Sequence, residues 1–458
     1  MNNDNKTKEK EIKATINACK LCSPLGASIV FRGIKNAMPL IHGGQGCSTY
    51  IRRYIISHFK EPMDIASSSF TEEATVFGGE SNLITGIENV IKQYNPELIG
   101  IATSCLSETI GEDISLYVNK YLRNNIGKDN PKIVHVATPS YSGTHIDGFH
   151  KSVKAIIETL VKEKINTKSK KINILPGFLS PADLRYIKEV LEDFDLSFTM
   201  LPDYSETLDA PIWDEYKKIP EGGTSIDQIE TMNNSVATIE FGKTISNEFS
   251  GAFFLEKRFG VKRFNLGFPI GIKETDQFFN ILEKLSGLST PNKHKLVRGR
   301  LIDSYVDGHK YLFGKKAVVY GEEDLVIGIT NFLFEIGIIP IIVASGGNSG
   351  KLKDFIQNNG AYISNNEINI LNGVDFSEIE EIAFNLKPDL IIGNSKGYKI
   401  ARKLNIPHIR VGFPIHDRIG GQRILHVGYN GTQNLFDSIT NALIEYKQEN
   451  SPVGYSYI

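Results

Sequence analysis

Cysteine is scarce in this chain: four residues among 458, at positions 19, 22, 47 and 105, and none beyond. So few thiols exclude a disulfide framework as the source of stability. A zinc site is also excluded, since no second CxxC and no paired histidines follow the Cys19–Cys22 pair. Net charge is nearly absent too. Fifty-one Lys and Arg face 53 Asp and Glu, leaving -2 and a pI near 6.6, so no global field draws the chain to nucleic acid or to an anionic membrane. No segment offers about 18 uninterrupted apolar residues, the length a membrane span requires. The opening MNNDNKTKEKEIKATINACK has no apolar stretch of the kind a signal peptide carries. A soluble, cytoplasmic protein is expected. Neither GxGxxG nor a Walker loop occurs, so the chain is not expected to bind ATP itself. No short-period repeat is visible.

What is present is a series of apolar runs rich in β-branched residues: ELIGIAT, KIVHVAT, KINILPGF, KKAVVYG, IIPIIVASGG, DLIIGNS and HIRVGFP. Amphipathic stretches such as SNLITGIENVIKQY, PADLRYIKEVLEDF and EDLVIGITNFLFEIG alternate with them. Buried parallel strands in βαβ units read this way, so the class is α/β with doubly wound, mainly parallel sheets. At 458 residues the chain exceeds what one core supports. Lysine-rich VKEKINTKSKK marks one break and STPNKHKLVRGR a second, after which GKKAVVYGEEDL restarts a strand, turn and helix. Three stacked α/β domains are expected, over residues 1–165, 166–305 and 306–458.

The thiols lie where ligands of open α/β sheets bind, beyond the carboxyl ends of strands. In ELIGIATSCLSETIGED the strand Leu98 to Ala102 ends at Thr103-Ser104-Cys105, ahead of a helix expected from Ser107 and Glu108. A helix dipole there favours thiolate, the form that binds iron. In MPLIHGGQGCSTYIRR Cys47 follows an apolar strand and is expected inside the turn Gly43-Gly44-Gln45-Gly46. Glycines there let the backbone approach a bulky group and free amides to bond sulfide. Cys22 precedes the turn Ser23-Pro24-Leu25-Gly26-Ala27. A cysteine that merely packs under a turn is the plain alternative in each case. As a thioredoxin-like pair, Cys19 and Cys22 are badly placed, since Pro24 and a polar approach flank them.

Taken together, CSPLGA, IHGGQGCSTYIRRYIISHFKEP, SSSFTEEATVFGGESN, TSCLSETIGEDI, TPSYSGTH, VRGRLID, GNSKGYKIA and RVGFPIHDR occur in order over nearly the whole chain, and the chain resembles the nitrogenase component 1 family. The resemblance implies an α2β2 assembly of three-domain α/β subunits. It also implies a P-cluster of the 8Fe-7S type held by the cysteines matching Cys22, Cys47 and Cys105, with Ser140 as an additional oxygen ligand. The family's α chain binds the catalytic cofactor through a later cysteine. No Cys follows position 105 here, so the resemblance is to the β-type subunit, with an α-type partner carrying that cofactor and an ATP-dependent iron-sulfur reductase supplying electrons. The activity implied is nitrogen fixation or a related small-molecule reduction. A paralogue of the β subunit, the scaffold on which the cofactor matures, shares many of these segments and holds a simpler 4Fe-4S cluster. The tail DRIGGQRILHVGYNGTQNLF and the segment AMPLIHG are nearer the scaffold, whereas three cysteines plus Ser140 are nearer the electron-relaying subunit.

Among other residues, Arg52 and Arg53 are candidates for offsetting cluster charge or pairing with the reductase. Solvated arginines on a helix face are the alternative. Glu72 and Glu73 belong to a matching segment without a role evident from sequence. His416, a lone loop histidine, is expected to be structural.

Overall fold

A computed structural model describes residues 17–126, 130–163, 169–359 and 368–452. Among the described residues thirteen strands form three sheets, and every pair of these strands is parallel. The first sheet holds β1 (Ala37–His42), β2 (Ala66–Ser67), β3 (Leu98–Thr103) and β4 (Lys132–Val136), in the order β2-β1-β3-β4. The second holds β5 (Ile172–Leu175), β6 (Phe198–Met200), β7 (Ala237–Phe241) and β8 (Lys262–Leu266), in the order β6-β5-β7-β8. The third holds β9 (Lys316–Gly321), β10 (Ile339–Ser345), β11 (Asn369–Asn372), β12 (Leu390–Gly393) and β13 (His408–Arg410), in the order β11-β10-β9-β12-β13. In each sheet the winding reverses once, between β1 and β3, β5 and β7, and β9 and β12, which is where such sheets open a crevice.

Strands covered by helices on both faces need apolar residues throughout rather than in alternation. β1 and β3 meet this requirement, with all six residues of each buried. The first eight helices are α1 (Ser23–Arg32), α2 (Gln45–Phe59), α3 (Glu72–Phe77), α4 (Glu80–Tyr94), α5 (Cys105–Ile110), α6 (Ile114–Asn124), α7 (His145–Leu160) and α8 (Pro181–Asp193). One contiguous buried cluster runs through all three sheets, from Leu25, Val134 and Phe149 through Ile174 and Phe241 to Val319 and Ile392. The α/β reading of the sequence therefore holds.

Two local expectations do not. STPNKHKLVRGR, read as a break, lies mostly within a helix, Asn292–Leu312, and the boundary set at 305/306 falls inside it. Only His294, Leu301, Gly308 and Leu312 of that helix are buried, so its sequence carries little apolar periodicity. HIRVGFP supplies only a three-residue strand, because Gly412 turns the chain away with φ of +71°. Much of the other proposed break, residues 164–168, lies outside the described residues.

Candidate cluster-ligating site

Parallel register builds the site. β1 and β3 pair from Ala37↔Leu98 to His42↔Thr103, so the residues that follow them emerge side by side, and the Ser104 amide donates to the His42 carbonyl at 3.0 Å. β4 lies beside β3 in register. Its continuation is tied back by two bonds, from the Thr138 amide to Thr103 Oγ1 at 2.8 Å and from Thr138 Oγ1 to the Thr103 carbonyl at 2.6 Å. Cys47, Cys105 and Ser140 thus share one edge of the sheet at its winding reversal.

Cys22 arrives by helix packing. α1 crosses α7 where each carries glycine: a Cβ on Gly26 would lie 1.7 Å from the His145 carbonyl oxygen, and one on Gly148 would lie 2.0 Å from that of Ser23. Backbones approach that closely only without side chains between them. The His145 amide donates to the Leu21 carbonyl at 3.0 Å, and the Ser23 amide donates to Ser140 Oγ at 3.1 Å. The Ser140 amide in turn donates to Cys105 Sγ at 3.2 Å. Ser140 therefore links the Cys22 and Cys105 segments through its side chain and its backbone.

Cys47 and Cys105 sit differently from expectation. Cys47 lies in the first turn of α2, which starts at Gln45 with Gly44 as its cap, rather than in an open glycine turn. Cys105 is the first residue of α5, two residues ahead of the expected start, because Ser104 caps that helix by accepting from the Ser107 amide. Gly43 is needed for close approach, since a Cβ there would fall 2.0 Å from Ser104 Oγ. Gly44 and Gly46 face open space, with nothing within 4 Å of an added Cβ.

All four cysteines are free. Burial pushes the Cys22 thiol up to about 11, the Leu25 amide opposes this, and Cys47 and Cys105 push it further. Cys47 is raised by burial and then by Cys105. Cys22 and Cys47 are thus both disfavoured as thiolates by neighbouring sulfur, a repulsion that bound cations relieve. Cys19 is elsewhere: it is buried in the third sheet's cluster with Val318 and Tyr320, and its thiol is pushed up to about 12 by burial.

Beneath the thiols lies a network that sequence reading missed. His42, fully buried, meets Ser68 Oγ through Nδ1 at 3.1 Å and Glu112 Oε2 through Nε2 at 3.1 Å. Glu112 Oε1 accepts from the Gly79 amide at 2.9 Å, and Ser68 Oγ accepts from the Gly43 amide at 3.0 Å. The only signal was that His42 precedes the glycines and Glu112 follows the Cys105 segment. Arg52 pairs with Asp64 at 3.3 Å and Arg53 is exposed. Glu72 and Glu73 occupy the first turn of α3, where carboxylates are favoured by the dipole. His416 is exposed on its loop.

Large apolar side chains are exposed in the segments that carry or border the thiols. Tyr50, Phe77, Leu106 and Tyr141 are all exposed, Phe77 by 84%. Among the described residues no three His, Cys, Asp or Glu side chains converge tightly enough for one metal ion. The donor set suits a larger centre. Three thiolates prefer soft metals such as iron, and a multi-iron cluster distributes its ligands over several metal atoms and needs at least four. Cys47, on the exposed face, leaves room for ligands from a second chain.

A family model described as nitrogenase component 1 type oxidoreductase matches residues 22–444. The chain is 39% identical to the nitrogenase molybdenum-iron protein beta chain of Clostridium pasteurianum over 430 residues, covering 94% of this chain and 93% of that one. It is 37% identical to the protein of the same name from Methanothermobacter marburgensis over 448 residues, covering 95% and 96%. A solved structure described as "Nitrogenase Cp1 at pH 6.5" superposes with a TM-score of 0.94 at 37% identity, covering 98% of each chain. A second, "Nitrogenase Cp1 at pH 5", has a TM-score of 0.70 at 16% identity and shares the fold alone.

Proposed function

The chain belongs to the nitrogenase component 1 type oxidoreductases as a β-type subunit, and from this we propose that it holds half of a P-cluster-type iron-sulfur centre through Cys22, Cys47 and Cys105, against an α-type partner in an α2β2 assembly. The observation that supports this reading is the grouping of three free thiols, with Cys47 and Cys105 following two paired strands and Cys22 near enough to be raised by both. When bound, an 8Fe-7S cluster stores and passes single electrons. In this reading they come from an ATP-dependent iron-sulfur reductase and go to the cofactor of the partner, for nitrogen fixation or a related reduction.

The chain's own residues supply ligation and tuning. For Cys22 the raised pKa makes release of its proton a part of metal binding. The Ser140 amide bonds Cys105 sulfur, and such bonds stabilise the more reduced, more negative cluster. Gly44 and Gly46 keep a bulky group's approach clear. Tyr50, Phe77, Leu106 and Tyr141 exclude water once the partner covers them.

Anaerobic co-purification with the α-type partner, followed by iron counting and electron paramagnetic resonance, tests the assignment. Cys22→Ala, Cys47→Ala and Cys105→Ala should each lower iron content and weaken the heteromer, while Cys19→Ala keeps both. Full iron retention in Cys47→Ala would remove the cluster assignment. A count of about four irons per heterodimer instead of about eight would favour the cofactor-assembly scaffold.

A further inference from the structure

Where the three sheets meet, a cavity of about 30 Å³ lies between His58 of α2, His145 of α7, Asp183 of α8, Glu322 after β9, Asn394 after β12 and His426. Two of its lining residues carry unmet polar atoms: His145 Nδ1 and His426 Nε2 are buried without a hydrogen-bond partner among the described residues. Both side chains are more than nine-tenths buried. The other face of His426 is fixed, since its Nδ1 meets Asp183 Oδ2 at 2.9 Å. Asp183 also accepts from the backbone amides of Ser180, His426 and Val427, which leaves it no means of satisfying Nε2. An unsatisfied buried nitrogen is destabilising, so two beside one small cavity call for a shared ligand.

We infer that this cavity is a built water site, holding about one or two waters that bridge His145 Nδ1, His426 Nε2 and the Glu322 carboxyl. The size suits this, because a water needs about 10–15 Å³ of such volume and two to four polar partners. Glu322 supplies the complementary hydrogen. Burial, with Asp324 and Glu323 beside it, raises its carboxyl well above the usual range, although the Leu325 and Asp324 amides pull the other way. Both of its oxygens accept from those amides, and its side chain lines the cavity. The neutral state of His145, lowered to about 4 by burial, provides a ring that can accept. A cleft of about 590 Å³ at the carboxyl ends of the strands shares His145, Gly321 and Glu322 with the cavity.

High-resolution crystallography of the anaerobic heteromer, with and without xenon pressure, decides the matter. The expected result is water density within about 2.7–3.2 Å of both histidine nitrogens, unchanged under xenon, because dry apolar cavities take xenon whereas hydrated polar ones do not. Glu322→Gln, which still donates, should keep that density. Glu322→Leu should lose it. Xenon entering the native cavity would overturn the inference, as would an absence of density between the two nitrogens. Undiminished water in Glu322→Leu would remove Glu322 from the site. If that variant fails to assemble, the native and xenon data decide alone.

Discussion

Ser140 joins the Cys22 and Cys105 segments by two different groups, and a substitution separates them. Its amide, which bonds Cys105 sulfur, belongs to the backbone and survives any side-chain change. Its hydroxyl oxygen accepts from the Ser23 amide, a bond that favours the anionic form an oxygen ligand must adopt. A hard oxygen donor prefers the more oxidised metal. Ser140→Gly in the assembled heteromer should therefore shift the midpoint potential or spectrum of the oxidised state while leaving total iron and the reduced spectrum unchanged. Redox titrations of the two proteins that superimpose would make Ser140 a bystander. The sequence named Ser140 only through resemblance. Nothing in its spacing from Cys105 announces a backbone N–H···S bond across two strand ends, since the bond depends on the register of β3 and β4.

At the scale of elements, two glycines differ in what surrounds them. Gly26 lies where α1 touches α7, and a methyl group there would enter the His145 carbonyl. Gly26→Ala should displace α1 and the Cys22 that caps it, costing about 1–3 kcal/mol and lowering iron retention. Gly46 has no such neighbour within the chain. In the first turn of α2, alanine gains up to roughly 0.8–1 kcal/mol of helix propensity, so Gly46→Ala should melt no lower than the parent chain. If the open space is where cluster and partner approach, the same variant should still assemble poorly. Melting curves and iron counts on both variants measure the contrast, and normal assembly of Gly46→Ala would show that the space serves nothing. The strands were legible where both faces are covered. β7 escaped notice although it is central, because its buried Glu240 breaks the apolar run. That carboxylate is satisfied by Arg263 at 2.8 Å and by Ser250, which no local pattern reveals. The edge strands β2, β6, β8 and β11 are short or half-exposed and lack the continuous hydrophobicity of a central strand.

For the molecule as a whole, the contact between the second sheet's helix and the chain's last turn before its long C-terminal helix depends on one carboxylate. Asp183, completely buried, would be raised by that burial, but His426 and the amides of His426 and Ser180 hold it below its usual range. Its partners, His426 and Val427, lie more than 240 residues away. Asp183→Asn keeps the shape but points an amide donor at donors. Leaving those buried donors unmatched costs about 1–3 kcal/mol, so the heteromer should melt below the parent. An unchanged melting curve would show that the three-sheet junction does not depend on this pair.

From the sequence alone came the α/β class, the sheet-forming runs, and a short set of thiols placed after strands, because parallel strands buried on both faces must be continuously apolar and their turns must carry the polar and sulfur groups. Tertiary structure alone decided which thiols meet. Cys19 and Cys22 are three residues apart, yet one enters the third sheet's core and the other faces Cys47 and Cys105. That separation arises from the chain pairing at Cys19 with Val374 and then turning into a helix that packs on α7, both of them long-range contacts. The His42–Glu112 network and the junction cavity belong to the same category, since their members converge only after the sheets have wound and packed.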